Sequence, residues 1–300
     1  PPPPPHSPQK SNPPPPRDSQ PVGRRPRNPT YTAKIAADRA GIPVIIVPTT
    51  ASTDAPCSGC AVLYSEQGTF ESVYYQTSNP AAVLVDTAII AAAPVRFLVS
   101  GMGDALATWF EARSCSTTQS GNCCGGLGTM TGLSLARLCY DTLLQYGLNA
   151  KIAAEQHIVT PALERIVEAN TLLSGIGFES GGLAAAHSIH NGLTALAETH
   201  ALYHGEKVAF GVLAGLQLTD ALPEESDTVY AFCEQIGLPT TLADLGLKDC
   251  DRSRLLQVAE KACAPIESIH HEAGTVTPDK VLQAILAADA IGQRRNCQQS

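Results

Sequence analysis

"TAIIAAAPVRFLVSGMGDALATWFEARSC", residues 87–115, is where the chain changes character. It is rich in alanine, and its apolar residues recur with the 3.6-residue spacing of a helix. Upstream the pattern is that of strands. "IPVIIVPT" (42–49) is a continuous β-branched run, which suits a strand buried on both faces. "CAVLYSE" (60–66), "ESVYYQ" (71–76) and "AAVLVDT" (81–87) are further strand candidates, with Gln67-Gly68 as a hairpin turn between the first two. "TAKIAADRAG" (32–41) reads as a short helix that stops at Gly41. Downstream, helical spacing continues over 129–146, 148–172, 182–200, 206–221, 224–236, 252–263 and 278–292. Gly147, Gly175, Gly177, Gly205, Pro223 and Pro239 are taken as boundaries. Pro161 after Thr160 has the form of a first-turn proline behind a cap. The expected fold is a remnant of an α/β sheet over 31–90, then a mostly α-helical domain over 91–296. The aperiodic loop 114–128 interrupts that helical domain.

The composition agrees. In 300 residues, 44% are hydrophobic and 16% charged, the balance of a chain that buries a sizeable core. A formal charge of −8 argues against general nucleic-acid binding, which needs a basic face. No apolar run reaches the length of a transmembrane helix, so no membrane partner is expected. Residues 1–30 hold 13 of the 23 prolines and five Lys/Arg against one Asp. They are expected to form a disordered, polyproline-biased arm. That arm is either a spacer or a ligand for a proline-recognising domain through "PPPPPHSP" or "NPPPPR". The ten cysteines read as reduced thiols of a cytoplasmic protein, because several sit within apolar helical patterns. Cys57-Ser-Gly-Cys60 lacks the second Cys pair that a structural zinc knuckle requires.

Three stretches carry candidate chemistry. "PTTASTDAPCSGCAVLY" (48–64) follows an apolar strand, as a ligand loop at a strand's carboxyl end would, and gathers small hydroxyls around Asp54. On spacing alone, an ordinary turn capped by Asp54 is the favoured reading. In "SGMGDALATWFEA" (100–112), Asp104 follows Gly-x-Gly and is read as opening a helix, where it would serve as a cap. "GGLAAAHSIHNGLTALAETHALYHGEKVAFG" (181–211) holds four of the eight histidines. His187 and His190 share a helix face, and His200 and His204 follow. Imidazoles converging from two helices suit a borderline-soft divalent metal. A carboxylate as third ligand would leave a position open for substrate. "GIGFESGG" (175–182) and "GGLGTMTG" (125–132) imitate glycine-rich nucleotide loops, but neither follows a strand.

The strings "PTTASTDAPCS", "GMGDALATWFEA", "AAEQHIVTPALERIVEANTLLSGIGFESGGLAAAHSIHNGLTA" and "HGEKVAFG" are long and collinear. Through them the chain resembles the glycerol dehydrogenases of the metal-dependent, iron-type alcohol dehydrogenase superfamily, from about Thr32 to about Gln293. The resemblance implies a partial Rossmann-like nucleotide domain at 31–90 and a helical metal-binding domain at 91–296, with the reaction between them. It implies NAD and Zn²⁺ as cofactors, with the metal on Asp104, His187 and His204. Asp54 would contact a polyol such as glycerol. Thr49, Ser52, Ser58, Cys60 and Tyr64 would line the NAD site, Cys60 through its backbone. His190 would lie outside the ligand set, as a supporting or structural residue, and the assembly would be a homo-oligomer.

Family members carry further strands and a Gly-Gly-Gly-Lys-type phosphate turn ahead of this point. Here that turn would fall just before Thr32, where "RRPRNPTY" stands instead, with Tyr31 in place of an Asp. The expectation is a weakened nucleotide site and an exposed edge on strand 42–49. An alternative reading is a catalytically inactive dehydrogenase-like fragment that serves as a binding or oligomerisation module. A metal-dependent lyase acting on a sugar-acid phosphate, as in dehydroquinate synthase, would need more basic side chains near the site than Arg113 and Lys207.

Overall fold

The computed structural model describes residues 29–299. The arm assigned to 1–30, with its proline-recognition motifs, lies outside them except for Pro29 and Thr30, which open the first helix, α1 (Pro29–Ala40). This helix packs on an antiparallel hairpin of β2 (Cys60–Tyr64) and β3 (Phe70–Tyr75), in which Val62 faces Val73. The expected turn is present. Gly68 takes a φ of +90°, a backbone state that glycine adopts without strain. Asp38 ties α1 to the hairpin by accepting from the Tyr74 hydroxyl at 2.7 Å and the Thr77 N–H at 2.9 Å.

The run 42–49 shows the exposed edge expected of it, but its ladder is much shorter than the apolar run and it is not buried on both faces. Only Ile45–Ile46 (β1) forms a ladder, parallel to β4 (Ala82–Val83). Ile46 is buried, but Ile42, Ile45 and Val47 are 61%, 59% and 59% exposed. Parallel strands are buried when neighbours and helices cover them on both sides. Among the described residues β1 has β4 alone, so the apolar run stays in an exposed edge.

The helical part begins at α2 (Thr87–Ala92), where Asp86 caps the first turn. At its centre is α3 (Val95–Thr118), which packs against α4 (Met130–Glu155), α6 (Ser174–Gly181) and α8 (His204–Leu218). Around it run α5 (Pro161–Glu168), α7 (Ala185–Leu193), α9 (Pro223–Ile236), α10 (Arg252–Ala262) and α11 (Pro278–Gln299). Thr160 caps α5 as expected, accepting the Leu163 N–H at 3.3 Å behind Pro161.

Three boundaries expected at glycines lie inside helices. Gly147 sits within α4, where a Cβ would come 2.8 Å from the Phe232 ring. Gly175 and Gly177 lie within α6, where a Cβ would meet Asp54 O at 2.8 Å and Thr108 Cγ2 at 2.9 Å. These glycines serve close packing and do not mark helix ends. A π-turn at Ala169–Leu173 joins α5 to α6. It places Asn170 so that its Nδ2 donates to Ala51 O at 2.9 Å and Leu98 O at 3.1 Å, linking the loop after β1 to α3. No helix among the described residues is long and apolar enough to cross a membrane.

Candidate metal centre

Asp104 does not open a helix. It lies in the middle of α3, fully buried. Its surroundings depend on glycine. A Cβ on Gly205 would fall 1.8 Å from Ser100 O, and one on Gly103 would fall 2.4 Å from Gly205 O. With no side chains there, the N-terminus of α8 can press directly against α3. That contact brings His204, the first residue of α8, to Asp104. His204 Nε2 lies 3.1 Å from Asp104 Oδ1, and His187 Nε2, from α7, lies 3.4 Å from the same oxygen. The three side chains form a metal-competent group whose ligand atoms all lie within 4.8 Å of one another.

The ligand chemistry fits a divalent ion. Asp104 Oδ1 is buried and accepts no hydrogen bond, a costly state for a carboxylate oxygen unless a cation faces it. One carboxylate and two imidazoles are ligands that Zn²⁺ accepts, with a further position left open. Burial alone would push the Asp104 carboxyl up, but His204 and His187 together hold it well below the usual carboxylate range. For His187, burial acts downward, yet Glu111 and Asp104 override it and hold the imidazole well above its ordinary value.

Each histidine is aimed by a partner on its other nitrogen. Glu111, seven residues or about two helical turns along α3 from Asp104 and on the same buried side, has an oxygen 2.6 Å from His187 Nδ1. The other oxygen of that carboxylate accepts the backbone N–H groups of His187 at 2.9 Å and Ala184 at 3.0 Å. His204 Nδ1 is 3.0 Å from His190 Nε2, and His190 Nδ1 is 3.0 Å from Asn191 Oδ1. Burial, then the neighbouring His204 and Lys207, push His190 well below its ordinary pKa, so it stands as a neutral acceptor for His204. The start of α8 is also pinned. Glu206 accepts the Tyr203 N–H at 2.7 Å and pairs with Arg96 at 2.6 and 2.8 Å.

Sequence reading did not single out Glu111, Arg96 or Glu206. The available signal for Glu111 was its i+7 spacing from Asp104, which puts both carboxylates on one side of a helix.

Asp54 is buried beside this centre. Its N–H donates to Asp104 Oδ2 at 3.2 Å, and its carboxylate accepts from Ser174 Oγ at 2.9 Å. Burial, and next the charge of Asp104, raise its pKa well above the ordinary value. Ser52 and Tyr64 line a cavity of about 450 Å³ together with Tyr31, His190, Tyr203 and His204. Ser58 and Cys60 do not face that cavity. Both are buried, and the Ser58 hydroxyl and the Cys60 carbonyl face Lys34. Thr49 is exposed and lies outside the cavity lining. All ten cysteines are free thiols, Cys57 and Cys60 included.

Comparison with known proteins gives a consistent result. Residues 30–94 match the family described as iron-containing alcohol dehydrogenase. Glycerol dehydrogenase from Thermotoga maritima is 59% identical over 88% of this chain and 72% of its own. That of Escherichia coli O6:H1 is 56% identical over the same shares. Among solved structures, glycerol dehydrogenase from Schizosaccharomyces pombe superposes with a TM-score of 0.88 at 42% identity, covering 90% of this chain and 69% of that one. A probable glycerol dehydrogenase from Sinorhizobium meliloti gives 0.86 at 49% identity, covering 88% and 75%.

Proposed function

This chain belongs to the glycerol dehydrogenase family of oxidoreductases, and on that premise we propose that it oxidises glycerol, or a related vicinal diol, to the hydroxyketone with NAD⁺ as hydride acceptor. The observation that carries this reading is the buried Asp104 oxygen with no hydrogen-bond donor, facing the Nε2 atoms of His187 and His204. Those three side chains would hold a divalent metal, which we assign as Zn²⁺. Bound there, such an ion supplies Lewis acidity that lowers the pKa of a substrate hydroxyl. NAD⁺ supplies the carbon that receives hydride.

The protein's own groups do the rest. Glu111 accepts the proton on His187 Nδ1, which leaves the Nε2 lone pair directed at the ligand position. His190 Nε2 does the same for His204 Nδ1. Asp54 is fixed by its N–H on Asp104 and by Ser174, so its carboxyl can take a second hydroxyl of the polyol and favour diols over simple alcohols. The buried walls around Asp54 and Asp104 keep bulk water from competing for these groups.

In this reading residues 31–90 contribute to the nucleotide side and 91–296 to the metal side. Ser52 and Tyr64, which line the cavity that also reaches His204, would line the nucleotide site. Thr49, Ser58 and Cys60 act from the surrounding loop, and the working form is a homo-oligomer in a reducing cytoplasm.

The test follows NADH absorbance with glycerol and excess NAD⁺ after zinc is added. Growth of signal that depends on both glycerol and zinc supports the reading. Zinc binding without any turnover would favour an inactive dehydrogenase-like scaffold.

A further inference from the structure

Lys34, in α1, has no exposed surface. Its ammonium donates to the carbonyl oxygens of Ala55, Ser58 (2.6 Å) and Cys60 (3.1 Å), with the Ser58 hydroxyl at 3.4 Å. All four acceptors are uncharged oxygens of the single turn that leads from Asp54 into the first residue of β2. An ammonium has three donors and no acceptor, so converging carbonyls suit it as they suit a small cation. A charge this deeply buried is tolerated only where such dipoles replace water. Burial lowers the Lys34 pKa, and the negative groups around the turn act in the opposite direction.

The turn's other backbone face is fastened by carboxylates. Gly59 N–H donates to Glu179 Oε1 at 2.7 Å, and Asp54 N–H donates to Asp104 Oδ2. A cation on one side and two carboxylates on the other therefore hold the peptide planes in one orientation. Without the cation, the carbonyls of Ala55, Ser58 and Cys60 would repel one another and turn outward. That rotation would move Asp54 and the start of the strand that ends in Tyr64.

We propose that Lys34 is a built-in cation: it shapes the 55–60 turn and thereby positions Asp54 against Asp104 for the polyol. The inference rests on the reading of Asp54 as the polyol contact given above. Lys34 touches neither substrate nor metal in this account, so it is a positioning residue.

The test uses the full chain, loaded with zinc, as wild type, Lys34→Met and Lys34→Ala. Lys34→Met keeps the volume of the stem and loses the charge. It should bind zinc as wild type does while kcat/KM for glycerol falls about a hundredfold, chiefly through KM, the scale expected when a contact is misplaced by about 1 Å. Lys34→Ala should show the same loss. There n-propylammonium, which replaces the deleted atoms, should restore kcat/KM and raise the melting temperature saturably, and neutral 1-propanol should do neither. Wild-type kcat/KM in Lys34→Met, or equal rescue by 1-propanol, overturns the proposal.

If wild type itself does not oxidise glycerol, the proposed function fails. The ammonium-dependent melting shift of Lys34→Ala then decides the present inference separately, and its absence overturns it. Should Lys34→Ala fold only with the ammonium present, the cation role stands; if it stays unfolded with the ammonium, the proposal fails.

Discussion

Glu111 grips His187 twice: one carboxylate oxygen lies 2.6 Å from the ring Nδ1, and the other accepts the backbone N–H of the same residue at 2.9 Å. A neutral amide at this position cannot accept as strongly, and half of it would present a donor. Glu111→Gln is therefore expected to weaken metal affinity by about 10–100-fold, the usual scale for a partner behind a metal-binding histidine. Glu111→Ala should in addition leave the Ala184 and His187 N–H groups without an acceptor and cost about 1–3 kcal/mol of stability. Chelator competition and thermal unfolding check the two effects. Unchanged affinity in both variants would remove Glu111 from the account.

The second prediction concerns the helix contact that assembles the centre. Gly205→Ala adds a methyl group 1.8 Å from Ser100 O, a backbone atom that cannot swing aside. The N-terminus of α8 must move away from α3, and His204 moves with it. Overpacking of this kind costs about 1–3 kcal/mol, and more where backbone must shift. Zinc content after dialysis should fall well below one ion per chain. A Gly205→Ala protein with full zinc occupancy would show that the contact does not set the His204–Asp104 distance.

The cap of α8 gives a third. Glu206→Ala removes the acceptor for the Tyr203 N–H and the partner of Arg96. A loss of about 1 kcal/mol is expected from the cap, with faster zinc release because His204 is the first residue of that helix. Arg96→Met should cost less, since the arginine side chain is 50% exposed and water screens its half of the pair. Equal effects from the two changes would contradict this ranking.

The pH dependence follows from the signs of two shifts. His187 has a raised folded pKa in the metal-free protein. Its stabilising contribution is full below the unfolded value of about 6.5 and is lost as pH rises through the folded value. Asp104 is depressed, so its contribution is present above about 3.9 and is lost as pH falls through its folded value. The metal-free fold therefore gains most from these groups in mildly acidic solution. Metal binding displaces the His187 proton, so affinity should rise by about tenfold per pH unit until His187 is neutral. A flat profile across the neutral range would show that His187 is not a ligand.

Much of the fold was legible because it rests on local periodicity. The hairpin at Gln67-Gly68, the Thr160–Pro161 helix start and the switch to helices after residue 87 all follow from patterns within a few residues. The misread glycines have a different cause. Gly147, Gly175 and Gly177 look like punctuation but are packing sites, and their partners Phe232, Asp54 and Thr108 are distant in sequence or belong to other elements. Strand 42–49 exposes its edge as expected, but only Ile45–Ile46 form a ladder, because a β-branched run does not reveal how much of itself is paired.

At the site, the histidine cluster was visible as spacing, and the resemblance supplied Asp104 as its carboxylate. The buried supports Glu111 and Lys34 gave no comparable signal. Glu111 lies inside an apolar helix, and Lys34 reads as a solvated charge on a short helix until its carbonyl partners at 55–60 are known.

X-ray absorption at the zinc edge of the zinc-loaded protein tests the central claim most directly. Ligation by Asp104, His187 and His204 predicts only nitrogen and oxygen donors at about 2.0–2.2 Å, with the outer-shell scattering of two imidazoles. Sulfur donors near 2.3 Å would place the ion on some of the ten free thiols and contradict the assignment.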